Sequence, residues 1–283
     1  MEWEKAKSYL LLFFVLLNLA LGGLLLMENR RYRVTPEREQ TIINILAQNN
    51  ITMDTELMRR FTPMRTMRLS GFYYNTDELV RILFGNASVQ RDPDNFRGYV
   101  VTRRPAELVI SNGFVSYNNP NGRGYIDELT PANAQALTDA FIRAYWPDFN
   151  LDIIYEGEDW LLFSYRQVYR GNMIHSNFIE FFVTAGGIMR IEMQFSRLLE
   201  WESMDRQPIV SPDEALLTFV RRVRYHAQVS PMRITHMDLV YFQEDGGVDE
   251  DVTHRAVPFY RIFVYGGGSD PFLINAITNE MIH

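Results

Sequence analysis

The chain contains no cysteine, which removes disulfides, thiol nucleophiles and thiolate-ligated metals together. Lysine is nearly missing as well. Only Lys5 and Lys7 occur, so no Gly-x-x-x-x-Gly-Lys-Ser/Thr phosphate loop exists anywhere in the sequence. Positive charge is short overall, with 28 basic against 35 acidic residues and a formal net charge of −7. A nucleic-acid binder needs a basic surplus to displace counterions from phosphates, so DNA and RNA are excluded as general partners. No Gly-x-Ser-x-Gly elbow is present, and among His175, His226, His236, His254 and His283 no two are three or four apart. A helical metal site therefore lacks its ligand spacing. No catalytic, cofactor-binding or metal-ligating residue is assigned, and the chain reads as a non-enzyme.

The remaining chemical signals each have a plain structural reading. The acidic run 244–251 lacks the alternating ligands and distal Glu of a calcium loop and reads as a solvated hairpin. Asn121-Gly122-Arg123-Gly124 and Gly266-Gly267-Gly268 lie between strand patterns, where glycine marks turns. Phe72-Tyr73-Tyr74 has the side chains to meet a sugar or peptide, although alternating burial in a strand explains it at less cost, and no site is assigned there. A hydrolase built on Glu156, Glu158 and Asp159 would need those carboxylates to converge in space, which closeness in sequence does not provide.

Among what is present, the longest apolar run covers 9–27, nineteen residues without a charge. At about 1.5 Å per residue a helix of that length nearly crosses a hydrocarbon core of about 30 Å, so the run predicts a transmembrane helix. Ala20-Leu21-Gly22 loosely resembles a signal-peptide cleavage site, but Leu24, Leu25, Leu26 and Met27 continue the run beyond it, which favours an uncleaved anchor. Charge leaves the direction open, with Lys5 and Lys7 before the span and Arg30, Arg31 and Arg33 after it. Asn18 and Gly22 lie one turn apart and are the candidates for a helix–helix interface.

Beyond this run, a hydroxyl residue precedes proline at Thr35-Pro36, Thr130-Pro131 and Ser211-Pro212. Ser or Thr caps a free backbone N–H, and proline at the first helical position has none to satisfy. Each pair opens an amphipathic run: Ile42, Ile43, Ile45 and Leu46; Ala136, Leu137, Ala140, Phe141, Ala144 and Tyr145; then Leu216, Phe219, Val220 and Val223, with Glu214 completing a capping box. A shorter helix is predicted over 77–84, capped by Thr76 and stopped by Gly85. Strands are predicted over 160–168, 178–184 and 188–195, and again over 234–242, 259–265 and 272–277, with a hairpin at Asn112-Gly113. The organisation predicted is α+β: a head at 1–8, the transmembrane helix at 9–27, and helix-plus-antiparallel-sheet units at 34–124, 125–204 and 205–283, with 118–124 as linker.

The head Met1-Glu2-Trp3-Glu4-Lys5-Ala6-Lys7, running straight into an apolar helix, resembles the start of the YycI family of Gram-positive membrane proteins. Ser211-Pro212-Asp213-Glu214-Ala215, Val257-Pro258-Phe259-Tyr260-Arg261 and Asn275-Ala276-Ile277-Thr278-Asn279-Glu280 resemble YycH- and PepSY-type units. The resemblance implies a single-pass protein with a cytoplasmic N-terminus and an extracellular domain. It implies regulation, with a YycH-like partner, of the sensor histidine kinase WalK/YycG that controls cell-wall metabolism, and no catalytic residues or cofactor. The alternative is an extracytoplasmic peptide- or wall-fragment-binding, or protease-inhibitory, PepSY-like module.

Overall fold

Capping chemistry decides where the helices begin, and alternation of large apolar residues decides the strands between them. The computed structural model of the chain describes residues 2–72, 74–94, 98–111, 113–201, 206–243, 253–265 and 270–282. In order these form α1 (Glu2–Arg31), α2 (Pro36–Gln48), β1 (Ile51–Met53), β2 (Met67–Phe72), α3 (Thr76–Phe84), β3 (Gln90–Asp94), β4 (Gly98–Arg103), β5 (Ala106–Ser111) and β6 (Phe114–Asn118). There follow α4 (Pro131–Tyr145), β7 (Phe149–Glu156), β8 (Leu161–Tyr169), β9 (Asn172–Thr184), β10 (Gly187–Gln194), β11 (Ser196–Trp201), α5 (Pro212–Val229), β12 (Met232–Gln243), β13 (His254–Tyr265), β14 (Phe272–Asn275) and β15 (Met281–Ile282). The architecture is mixed α+β. The acidic run 244–251, Gly266 to Gly268, Asn112 and His283 lie outside the described residues.

The predicted membrane span is corrected. Among the described residues no helix is long and apolar enough to cross a membrane. The single-pass placement, with a cytoplasmic N-terminus and an extracellular domain, falls with the span it rested on.

The caps of α2 and α4 form as the hydroxyl–proline steps predict, and α5 shows the return bond of the predicted capping box. Thr35 Oγ1 accepts from Arg38 N at 3.4 Å, Thr130 Oγ1 accepts from Asn133 N at 3.2 Å, and Glu214 Oε2 accepts from Ser211 N at 3.2 Å. For α3 the cap is one residue earlier than predicted: Asn75 Oδ1 accepts from Glu78 N at 3.1 Å and Thr76 is already helical. Asn is the stronger N-cap of the two, and its amide oxygen reaches the third amide of the helix, so it displaces threonine as the cap.

The chain divides into two compact units, one of residues 1–64, 207–238 and 260–283, the other of 65–206 and 239–259. In the first, the strand order is β1-β12-β13-β14-β15, with β1 parallel to β12 through Ile51↔Met232 and Met53↔Ile234. Ile42 and Leu46 of α2, Phe219 and Val223 of α5, and Ile234, Ile262 and Ile274 of the strands are buried there. Arg261 is 1% exposed in the same core. Its Nε and Nη2 donate to Asp238 Oδ1 and Oδ2 at 2.9 and 2.6 Å, the two-pronged match of guanidinium to carboxylate.

In the second unit a meander β7-β8-β9-β10 continues through β6, β5, β4 and β3. The β8–β9 turn is made by Arg170 and Gly171, with φ of 48° and 78°, which matches the right-handed twist of the paired strands. α3 and α4 cover the sheet and bury Leu79, Leu83, Ala134, Phe141 and Ile142 against Phe163, Phe181 and Ile191. The buried stripe of α4 is rotated from the predicted one. Ala136 and Ala140 are exposed while Thr138 is buried, because the Thr138 and Tyr165 hydroxyls share a hydrogen bond of 2.7 Å and Tyr165 also donates to Asp139 Oδ1 at 2.7 Å. A paired hydroxyl is admitted to the core where an alanine contributes little by entering it. β9 shifts register opposite Arg166 and Gln167, and buried Asn177 spans the break. Its Nδ2 donates to Gln167 Oε1 at 2.7 Å and to the Ser196 carbonyl at 2.9 Å, and its Oδ1 accepts from Ser196 N at 3.1 Å.

The segment 119–126 is held along its length in this unit. Asn119 N donates to the Met189 carbonyl at 2.8 Å, Ile188 N to the Arg123 carbonyl at 2.9 Å, and Ile126 N to the Ala185 carbonyl at 3.0 Å.

Candidate functional site

The second unit holds a half-open recess of about 230 Å³ at the junction of three elements. Its aromatic walls are Tyr74, just before α3, Phe195, between β10 and β11, and Tyr145 and Trp146 at the end of α4. Leu79 and Ile82 of α3 form the apolar floor, and Glu78 stands at the rim with its side chain 54% exposed.

Each wall is fixed by a local rule. Pro147 removes the amide that would continue α4, so the helix closes at Trp146, whose N–H donates to the Ile142 carbonyl at 2.7 Å. The Tyr74 hydroxyl donates to the Gly113 carbonyl at 2.6 Å and accepts from Phe195 N at 3.3 Å. Burial raises the Tyr74 hydroxyl above the ordinary tyrosine range, against the lowering effect of the Phe195 N–H. Its ring meets Phe195 edge-on with centroids 5.1 Å apart. Arg123 ties the helical walls together: Nη1 donates to the Ile82 carbonyl of α3 at 3.0 Å, and the guanidinium lies 5.1 Å from the Phe141 ring of α4. Phe141 in turn packs 5.7 Å from Trp146.

A second recess, of about 190 Å³, lies in the first unit between α2 and α5, lined by Thr41, Ile42, Ile45 and Leu217. Two of its charged residues, Arg38 and Asp213, are paired with each other. Arg38 reaches Asp213 through Nε at 2.9 Å and Nη2 at 2.7 Å, and Ser211 Oγ at 2.8 Å. This is the geometry of a clamp between two helices, and it leaves no aromatic wall. Another aromatic patch, Trp160 stacked on Phe182 at 5.5 Å, has the Arg190 guanidinium 5.3 Å from the Phe182 ring and so carries its own cation.

Of the residues singled out from sequence, Asn18 donates from Nδ2 to the Phe14 carbonyl of its own helix at 2.9 Å, and a side chain built at Gly22 would meet nothing within 4 Å. His175 packs 5.9 Å from Phe242, His236 lies 3.5 Å from Asp238 Oδ2, and His254 is buried on β13. The side chain of His226 lies outside the described residues. Glu156, Glu158 and Asp159 are exposed around the β7–β8 connection. Among the described residues no group of three or more His, Asp or Glu is placed to hold a metal ion. Sequence reasoning reached Tyr74 through its aromatic run and Tyr145 as part of a helix face, but missed Trp146, whose signal was an aromatic pair directly before Pro147.

No protein-family model and no curated protein sequence matches the chain. Among solved structures it is similar to an uncharacterized protein from Eubacterium rectale ATCC 33656, with a TM-score of 0.57 and 11% identity over 83% of this chain and 91% of that one. A Bacillus megaterium YpeB C-terminal domain is similar with a TM-score of 0.40 and 11% identity, over 75% of this chain and 96% of that one. The first likeness shows a shared fold.

Proposed function

We propose that this chain is a non-catalytic binding module that takes up an extended peptide segment of a partner, with one side chain of that segment anchored in the aromatic recess. The observation that carries this reading is the recess itself. Its 230 Å³ is below the roughly 300–1,000 Å³ of sites for drug-sized ligands and suits one amino-acid side chain. Tyr and Trp supply large, rigid contact area, and they are the residue types that dominate binding energy at protein interfaces. Tyr145 is 41% exposed, which leaves apolar area for a partner to cover.

The resemblance of the N-terminal head to YycI supports a narrower form of this reading, in which the peptide belongs to a sensor histidine kinase or a YycH-like protein and binding biases signalling. The test is panning of a random-peptide display library on the purified chain, followed by titration of selected peptides into Trp146→Ala. Loss of at least tenfold in affinity, in a variant that still unfolds in one cooperative transition, is the expected result. Selected peptides that bind the variant equally well, or a library that yields none, would overturn the reading.

A further inference from the structure

The charge at the rim narrows what the anchored side chain is. Resting on the binding reading above, we infer that the recess selects a cationic side chain, Lys or Arg, from the bound peptide.

Two observations converge on this. The walls are rings, and an aromatic face carries negative quadrupole density that attracts a cation held within about 6 Å of its centroid. Tyr74, Tyr145, Trp146 and Phe195 line one recess, and these are the residue types from which aromatic cages for alkylammonium groups are built. The rim then supplies a full negative charge. Glu78 lines the recess, and its own partner is weak: Arg81 Nη2 stands 3.8 Å away, at i+3 on the helix surface, with both side chains exposed. The partial positive charge at the start of α3 would oppose a cation. Glu78 in its first turn opposes that partial charge, Asn75 Oδ1 occupies the Glu78 amide, and Asp77 is engaged away from the recess by Arg91 Nη1 at 2.7 Å. The apolar floor of Leu79 and Ile82 suits the methylene stem of Lys or Arg, with the charged head at the rim.

The discriminating experiment titrates the full chain with acetylated and amidated Gly-Lys-Gly, Gly-Arg-Gly, Gly-Gln-Gly and Gly-norleucine-Gly peptides. The readout is the indole N–H resonance of Trp146, assigned with Trp146→Phe. The Lys and Arg peptides are expected to shift it at concentrations about tenfold lower than the neutral ones, with affinity falling as salt rises. Glu78→Gln is expected to erase that tenfold preference, leaving the norleucine titration unchanged. Equal response to Lys and norleucine peptides, or an unchanged preference in Glu78→Gln, overturns the cationic assignment and leaves peptide binding standing. No shift with any peptide, charged or neutral, overturns both.

Discussion

Arg261 shows how a single residue can be committed by its surroundings. A guanidinium removed from water is tolerable only while its carboxylate partner stays in place. Asp238→Asn is therefore expected to cost about 3–5 kcal/mol, the usual penalty for stranding a buried charge. The double variant Asp238→Leu with Arg261→Met, which removes both charges, is expected to lie within about 1–2 kcal/mol of wild type. Urea unfolding of the three proteins checks this, and equal losses in the single and double variants would remove the stranded-charge account. At this scale the sequence was legible where a residue acts on its nearest neighbours. Thr35, Thr130 and Ser211 flank the helices they were expected to cap. It was less legible where two residues compete for one task, as Asn75 and Thr76 do, and illegible where the partner is distant, as for Thr138 with Tyr165.

Among the elements, caps and turns carry separable contributions. Thr130→Ala removes the acceptor of the Asn133 N–H and is expected to destabilise by about 1 kcal/mol, seen as a lower urea midpoint with unchanged slope. Two glycines with left-handed backbones make a sharper comparison. At Gly171, φ is 78° and a Cβ would meet open space, so alanine is expected to cost only the backbone term of about 1–2 kcal/mol. At Gly122, φ is 69° and a Cβ would run into the Gly186 carbonyl, so alanine must also displace the turn before β10. Gly122→Ala should lose clearly more than Gly171→Ala in the same unfolding assay, and equal losses would show that the close approach contributes nothing. The long strands β8, β9, β10, β12 and β13 were readable because each is rich in apolar, aromatic and β-branched residues over many positions. β1, with three residues and a parallel partner far along the chain, offers no such repeat. The register break in β9 was hidden for the same reason, since Asn177 takes its role from Gln167 and Ser196. The recess was only partly readable because it draws its walls from the start of α3, the end of α4 and the β10–β11 junction.

For the molecule as a whole, buried tyrosines set the alkaline limit. Burial raises the hydroxyls of Tyr74, Tyr165 and Tyr260, and it pushes Tyr241 up to about 12 against the nearby Arg206 and Arg65. An unfolded tyrosine ionises near pH 10. Between about pH 10 and 12 the unfolded chain thus binds fewer protons than the native one, and stability must fall as pH rises; below pH 10 the contribution is complete. Tyr241→Phe is expected to flatten that decline by up to about 1.4 kcal/mol per pH unit, read from urea midpoints between pH 9 and 12. An unaltered slope would mean that Tyr241 ionises alike in both states. The division of the chain into units has a consequence in time. β1 pairs with residues about 180 positions downstream, and at synthesis rates of about 5–20 residues per second that partner emerges roughly 10–40 s later. Throughout that interval α2 holds Ile42 and Leu46 without the α5 surface it packs against, while the intervening 65–206 segment has already left the ribosome. The pace of translation between β1 and β12 therefore sets how long the beginning of the protein stays adhesive, and how long a chaperone has to meet it.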